Sequence, residues 1–430
     1  MTMDSTTTVD DGTLFLGDAW SDPIEAGIRD RIRGFIEELI EEELAAALGR
    51  GRYQRRHRRG DGEAGPADDP PAAGEVDVAP LAGHRHGHRQ RQMTGCFGTV
   101  AIAVPRARIA GAGGGTAEWK SRTLPRYARM TRQGEALIAG TYLAGTNTRR
   151  VRRALAALFK GAIGKDAVSR IWRKVKTGWE AWSKRPLDAE DVVRLILDGT
   201  VVRVRLDKKA TSISLLVVLG VRGDGQKLLL AVKNMGGESE AAWRALLDDL
   251  VARGLKTPEF LVVDGAAGLE KALAALWPEV PTRRCTVHKH RNLLAHAPDQ
   301  LHEEISADYT DMICAATPKE VEERRKAFLR KGRLKCRAVA DSLEEAGDRL
   351  FTFTRLPSGQ WRSARTSNAV ERLHEEFKRR IKTQTVLPSP ETAALLFWAL
   401  LASGQITMRK VDGWQTLATK PTDAVIDLAA

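Results

Sequence analysis

The chain has 430 residues, with 68 Lys and Arg against 55 Asp and Glu, a formal net charge of +13. Its 43% hydrophobic share is enough for real cores and excludes a wholly disordered chain. Four scattered cysteines (Cys96, Cys285, Cys314, Cys336) exclude a disulfide scaffold and suit a reducing compartment. No apolar run reaches the roughly 18 residues of a membrane span, and the start MTMDSTTTVDDG is unlike a secretory leader. A soluble cytoplasmic protein is expected, and its positive balance favours a polyanionic partner.

Residues 1–23 read as disordered. In the segment 24–59, a helix has Asp22 as cap, Pro23 in its first turn and Gly49 as stop. Ile24, Ile28, Ile32, Phe35 and Leu39 recur at helical steps, widened by Ile36, Ile40 and Leu44. That face packs either on the next domain or on a second copy. RGRYQRRHRRG then forms a basic arm suited to DNA contact. Residues 60–131 read as a Pro- and Gly-rich linker with a short strand pair near 96–108. HRHGHRQRQ within it alternates His84, His86 and His88, without Cys or carboxylate at ligand spacing. A solvated loop or DNA-contacting arm is expected there rather than zinc.

Residues 132–188 are helical, and short helices around a Gly-containing turn match a helix-turn-helix. Arg149, Arg150, Arg152 and Arg153 cluster on one segment, while Arg170, Arg173 and Lys174 lie on the next. A groove-reading helix needs such a face; a plain bundle with a solvated basic face has the same pattern. From 189 to 288 the order is a meander of strands, then helix, strand, helix, strand, which indicates α/β. VVRLILD, VVRVRL and SISLLVVLGV come first, then the Asp224-Gly225 turn and QKLLLAVKN. FLVVD (260–264) and TRRCTVH (282–288) follow. Residues 289–362 are helical and strongly charged, 363–415 hold the final helices, and 416–430 form a tail.

Two strands end in an acid, Asp198 and Asp264. Neighbouring carboxylates at strand ends repel each other unless a cation lies between them. Mg²⁺ is a hard ion that takes a few carboxylate oxygens and keeps waters for a phosphate substrate. Two such ions roughly 3.5–4 Å apart clamp an in-line phosphoryl displacement. Glu371, in RTSNAVERLHEEFKRR, is the candidate third carboxylate, on a helix running from Glu371 and Glu375 to Lys378, Arg379, Arg380 and Lys382. Each acid also has a plainer reading. Asp264 before Gly265 suits a turn, and Asn368-x-x-Glu371 suits a capping box. No phosphate-binding G-x-x-x-x-G-K-[ST] loop and no G-x-S-x-G elbow is present. Cys285-x-x-His288 has zinc-like spacing but lacks a second pair.

VVRLILD, WRALLDDLVARGL, FLVVDGAAGLEKAL, RCTVHKHRNLL and RTSNAVERLHEEFKRR, in that order, resemble the bacterial Mutator-type insertion-sequence transposases. TYLAGTNTRRVRRALAALFKGAIGKDAVSRI upstream matches too, so the resemblance spans roughly 24–410. It implies an RNase H-like catalytic domain whose DDE triad is Asp198, Asp264 and Glu371, with an all-α insertion between the last strand and the Glu-bearing helix. It implies supporting roles for Cys285, His288 and Asn368, and for Trp361 stacking on a flipped base, against the plainer reading of a core Trp. The acidic Pro/Gly stretch at 60–80 departs from the family's more compact basic arm.

The resemblance implies a DNA transposase that cuts insertion-sequence ends and joins the 3′-OH to target DNA. Its cofactor would be two Mg²⁺ ions, with Mn²⁺ substituting. Its partner would be double-stranded DNA, both terminal inverted repeats and target, held partly by Arg291, Arg372, Lys378, Arg379 and Lys382. A homodimer or higher oligomer on DNA and a nucleoid-associated place in a bacterial cytoplasm follow from the same reading. An inert helix-turn-helix regulator and a structure-selective nuclease are the alternatives.

Overall fold

The apolar stripe of the first helix finds its partner within the chain. The computed structural model describes residues 23–51, 83–110, 115–144, 151, 154–159 and 163–421. Helix α1 (Pro23–Leu48) buries Ile40 among Met93, Val100, Ile102, Val104 and Leu124, and Leu44 and Leu48 against Ala107. Those residues belong to an antiparallel hairpin, β1 (Gly83–Gly95) and β2 (Gly98–Ala110), followed by a short β3 (Thr116–Glu118). Ile24, Ile28 and Phe35, in the first half of α1, stay exposed.

The hairpin corrects the expected loop or arm at 84–92 and lengthens the strand pair expected near 96–108. β2 alternates Val100, Ile102 and Val104 towards α1, so it carries the apolar signal of a strand. β1 is held by main-chain pairing and contributes mostly polar side chains; Arg85 and His88 lie 3.3 and 3.2 Å from Glu41. Pairing of this kind leaves little trace in hydropathy.

Two units divide the chain: residues 1–142 with 146–172, and residues 143–145 with 173–430. Besides the hairpin, the first holds a small core of Ile138, Val151, Phe159, Ile163, Val168 and Ile171. It draws on α2 (Arg132–Leu143), α3 (Ala156–Phe159) and the start of α4 (Lys165–Ser183). Arg149, Arg150, Arg152 and Arg153 lie outside the described residues, while Arg170, Arg173 and Lys174 are exposed on α4.

The second unit is built on a five-stranded mixed sheet of order β6-β5-β4-β7-β8. β4 (Val192–Leu206), β5 (Lys209–Arg222) and β6 (Lys227–Asn234) form an antiparallel meander. β7 (Phe260–Val263) and β8 (Thr282–Arg284) add in parallel through α5 (Glu240–Ala252) and α6 (Ala267–Leu276). VVRLILD and VVRVRL are one continuous strand, not two, because Gly199 and Thr200 keep pairing with Leu216 and Leu215. On one face Leu195, Leu197, Leu216, Leu261 and Val263 pack against Trp243, Leu246, Leu250, Leu269 and Leu273 of α5 and α6.

TRRCTVH is a strand only to Arg284. At Cys285 the backbone turns into α7 (Thr286–Ala295). Helices α8 (His302–Cys314), α9 (Pro318–Lys335), α10 (Arg337–Ala346) and α11 (Ser358–Ala364) follow, with no strand among the described residues of this stretch. α12 (Asn368–Ile381) and α13 (Pro390–Ala402) then return to the sheet, with the Phe377 and Phe397 rings 4.8 Å apart. The expected tail begins inside this unit: Leu417 is buried and Gln360 bonds Thr416. Among the described residues no helix is long and apolar enough to cross a membrane.

Candidate active site

The parallel pair β4–β7 runs in register from Arg194↔Phe260 to Leu197↔Val263. The next residues are Asp198 and Asp264, so the pairing sets the two carboxylates side by side. Asp198 sits inside β4 rather than at its end, since β7 stops at Val263 while β4 continues against β5. Strand alternation sends Leu195 and Leu197 to the α5/α6 core and Asp198 to the opposite face. There it is buried, its Oδ2 3.4 Å from Nδ1 of His374 on α12.

Asp264 does take the turn role that its Asp-Gly sequence suggests, and one oxygen remains for other work. Its Oδ1 accepts from the Ala266 N–H at 2.9 Å. Burial, and then the Asp198 charge, push its carboxyl above the ordinary range, against the Ala266 hydrogen bond.

Glu371 comes from α12 and stands beside His288, whose imidazole also feels the Asp198 charge. The Cys285 N–H pairs with the Val263 carbonyl at 2.7 Å, extending the β7–β8 ladder by one residue. The Thr286 hydroxyl donates to the Arg365 carbonyl at 2.7 Å, fastening the start of α7 to the chain just before α12. Ser367 donates its hydroxyl to Glu371 Oε1 at 2.7 Å and lies 3.0 Å from Cys285 Sγ. Around Glu371 stand Cys285 Sγ at 4.0 Å, His288 Nδ1 at 3.6 Å and Arg291 Nη1 at 3.7 Å. The expected Asn368 capping box is not formed: the cap position is Ser367, and Asn368 is exposed. Of Glu371 and Glu375, four apart, Glu371 stands against His288 and Ser367, while Glu375 lines a neighbouring cleft.

His288 ties the group together electrically. The Cys285 thiol beside it raises the imidazole to about 9 against the effect of burial, helped by Glu371 and Asp198. Burial alone would raise the Cys285 thiol, but His288 and Arg283 outweigh it and bring the thiol down to about 7. The site therefore holds a cation amid its acids, as like-charge crowding demands.

Two further residues escaped the sequence reading. His374 lies three residues after Glu371, on one helix face; E-x-x-H in VERLHEE was the available signal. Glu238 precedes α5, and its carboxylate packs against Gly199, next to Asp198. Burial raises its carboxyl, with Asp264 and Asp198 adding to the rise and a hydrogen bond from Ser214 opposing it. Gly268 permits this approach, since a methyl there would lie 2.7 Å from the Glu238 carbonyl oxygen and 2.9 Å from the Glu240 nitrogen. Nothing in GGESE marks that acid as different from any helix-start Glu.

Trp361 does not face the acids. It is 6% exposed, its Nε1–H donates to the Leu356 carbonyl at 2.7 Å, and its ring meets Phe353 edge-on at 5.4 Å. Base stacking needs an open ring face, so this structure corrects the stacking expectation to a core role. Arg291 lies against Glu371. Arg372 lines the neighbouring cleft with Lys227, Arg362, Arg365, Arg409 and Lys410. Lys378, Arg379 and Lys382 are exposed, with Arg379 held 2.6 Å from Glu376.

Asp198, Asp264 and Glu238 offer hard carboxylate oxygens, the donor type Mg²⁺ takes, and burial together with the Asp198 charge opposes ionisation of both Asp264 and Glu238.

Residues 73–408 match the family described as Transposase, Mutator family. The chain is 28% identical over 374 residues to the transposase for insertion sequence element ISRM5 of Rhizobium meliloti (strain 1021), covering 87% of this chain and 86% of that one. It is 30% identical over 334 residues to the transposase for IS1081 of Mycobacterium tuberculosis, covering 74% and 75%. Among solved structures, the Drosophila P element transposase strand transfer complex aligns at a TM-score of 0.33 and 11% identity, over 67% of this chain and 93% of that one.

Proposed function

Because the chain belongs to the Mutator family of transposases, we propose that it cuts insertion-sequence ends and joins the freed 3′-OH to target DNA, with Asp198, Asp264 and Glu371 as its acid triad. The observation that carries this is the β4–β7 register, which sets Asp198 beside Asp264. The antiparallel meander followed by two parallel strands supports an RNase H-like core, and the helical stretch from α7 to α11 supports an all-α insertion within it.

Asp198, Asp264 and Glu371 would hold Mg²⁺, with Mn²⁺ as substitute. When bound, the metal would supply charge neutralisation for the attacking and leaving oxygens of an in-line displacement. The protein's own part is placement. Ser367 fixes the Glu371 carboxylate, the Ala266 N–H fixes Asp264, and His374 faces Asp198. The cleft cations, Arg372 among them, suit the DNA backbone, because phosphate contacts position a duplex. In the first step water attacks a phosphodiester and the 3′ oxygen leaves, taking a proton. In the second that 3′-OH attacks a target phosphodiester and gives up its proton, and the target's own 3′ oxygen leaves and takes up a proton. Joining two ends calls for at least a dimer on DNA.

The test is a cleavage and strand-transfer assay on DNA carrying the ends that flank this gene. Metal-dependent nicking and joined products from the wild type, with silence from Glu371→Gln and Asp264→Asn at retained DNA binding, are expected. Tight binding without breakage in Mg²⁺ or Mn²⁺ would make the inert regulator the better account. Cutting of branched DNA without strand transfer would favour the nuclease.

A further inference from the structure

Cys285, His288 and Glu371 present a sulfur, a nitrogen and an oxygen that all lie within 4.8 Å of one another. Sequence spacing showed only the first two, and a Cys-His pair is half of a zinc site. The fold brings the third donor from 86 positions away, on α12. His288 Nδ1 is shut off from solvent and has no hydrogen-bond partner among the described residues. At 3.6 Å from Glu371 Oε1 it is too far for a hydrogen bond.

The spacing suits a metal instead. Tetrahedral zinc has Zn–S near 2.3 Å and Zn–N or Zn–O near 2.0–2.1 Å, so its ligand atoms lie roughly 3.3–3.6 Å apart. Here Nδ1 to Oε1 is 3.6 Å and Sγ to Oε1 is 4.0 Å. Those two edges need only a few tenths of an ångström of closure, and with the third edge within 4.8 Å the three atoms can take three corners of a tetrahedron, leaving the fourth for water.

We propose that Cys285, His288 and Glu371 form a seat for a thiophilic divalent cation, with Zn²⁺ as the natural example, and that filling it withdraws Glu371 from the acid triad. The withdrawal rests on the triad reading; the seat does not. Thiolate and imidazole select Zn²⁺ over Mg²⁺, whose preference is for oxygen. Binding releases the protons of the Cys285 thiol and the His288 ring, so it strengthens as pH rises. With Oε1 turned to Zn²⁺, Glu371 no longer presents its whole carboxylate to the triad's cation, so a trace of Zn²⁺ acts as an off-switch even with Mg²⁺ in excess.

The test uses the full chain with Cys96, Cys314 and Cys336 changed to Ser, so that one thiol remains. Co²⁺ is the spectroscopic probe. We expect one equivalent to give the visible bands of a tetrahedral ion and a near-ultraviolet thiolate-to-metal band. Cys285→Ser removes the latter, and His288→Asn weakens binding. Zn²⁺ raises the Tm of the parent and leaves that of Cys285→Ser unmoved, which also shows that this variant folds. Measured against each protein's own uninhibited rate, the Zn²⁺ concentration that halves DNA cleavage rises at least about tenfold in Cys285→Ser, since loss of an outer-shell partner alone costs 10–100-fold. A parent without the thiolate band, or equal Zn²⁺ sensitivity in both proteins, overturns the proposal. The thiolate band together with DNA cutting by Asp264→Asn would sink the triad and leave the seat standing.

Discussion

Trp361→Ala separates two accounts of one residue. As a core residue, Trp361 fills the space beside Phe353 and satisfies the Leu356 carbonyl. Truncating a buried Trp to Ala costs about 3–5 kcal/mol. The sheet-bearing unit runs from Arg173 to Ala430, a size at which 1 kcal/mol shifts Tm by about 2–4 °C. The fall should therefore be about 6–20 °C. Trp361→Phe keeps much of the ring and loses the hydrogen bond, leaving a buried carbonyl unpaired at about 1–3 kcal/mol. Its fall should be smaller, at about 2–12 °C. Thermal unfolding without DNA reads both variants, and cleavage well below each Tm should persist in Trp361→Phe. A Trp361→Ala protein with wild-type Tm and abolished cleavage would refute the core reading and restore base stacking.

Other outcomes follow from the geometry of the acids. Asp264 has a folded pKa above its unfolded value, so its contribution to stability is present at low pH and lost as pH rises through the folded value. At neutral pH its ionised form therefore destabilises the metal-free fold. Asp264→Asn should raise the metal-free Tm at pH 7, with the gain shrinking on acidification, while Mg²⁺ should raise the Tm of the wild type only. A lower Tm at pH 7 would contradict this. Glu238→Gln should likewise raise the metal-free Tm, and calorimetry should show weaker Mn²⁺ binding; unchanged Mn²⁺ affinity would remove Glu238 from the site. Ser367→Ala deletes a charge-assisted hydrogen bond worth about 1.5–3 kcal/mol, so cleavage should fall about 10–100-fold with DNA affinity intact. Gly268→Ala drives a methyl into the backbone of Glu238 and Glu240 and should cost about 1–3 kcal/mol on denaturant unfolding; a neutral result would mean that the α5 start yields freely.

Elements with an apolar period were legible. The continuous apolar run of β5, the helical steps of α5 and α12 and the apolar α13 all lie where the sequence places them. Those held mainly by main-chain pairing were not: β1 carries almost no apolar signal and is a strand because β2 pairs with it. VVRLILD and VVRVRL read as two runs, yet the pairing of Gly199 with Leu216 carries β4 through from one to the other.

The same division holds at the site. Sequence alone picked Asp198, Asp264 and Glu371, because strand-end acids and a helix running from acidic to basic are local patterns, and because the blocks around them resemble a known family in order. It could not rank His374 or Glu238, whose meaning depends on which helix face meets β4 and on how closely α6 lets the start of α5 approach. Nor could it tell that Trp361 turns inward, or that Cys285 and His288 stand against Glu371. Those facts depend on contacts between residues far apart in the chain, and only the packed sheet and helices fix them. Residue type and local period are written along the chain; distance, burial and the electric field at a carboxylate arise when the chain closes on itself.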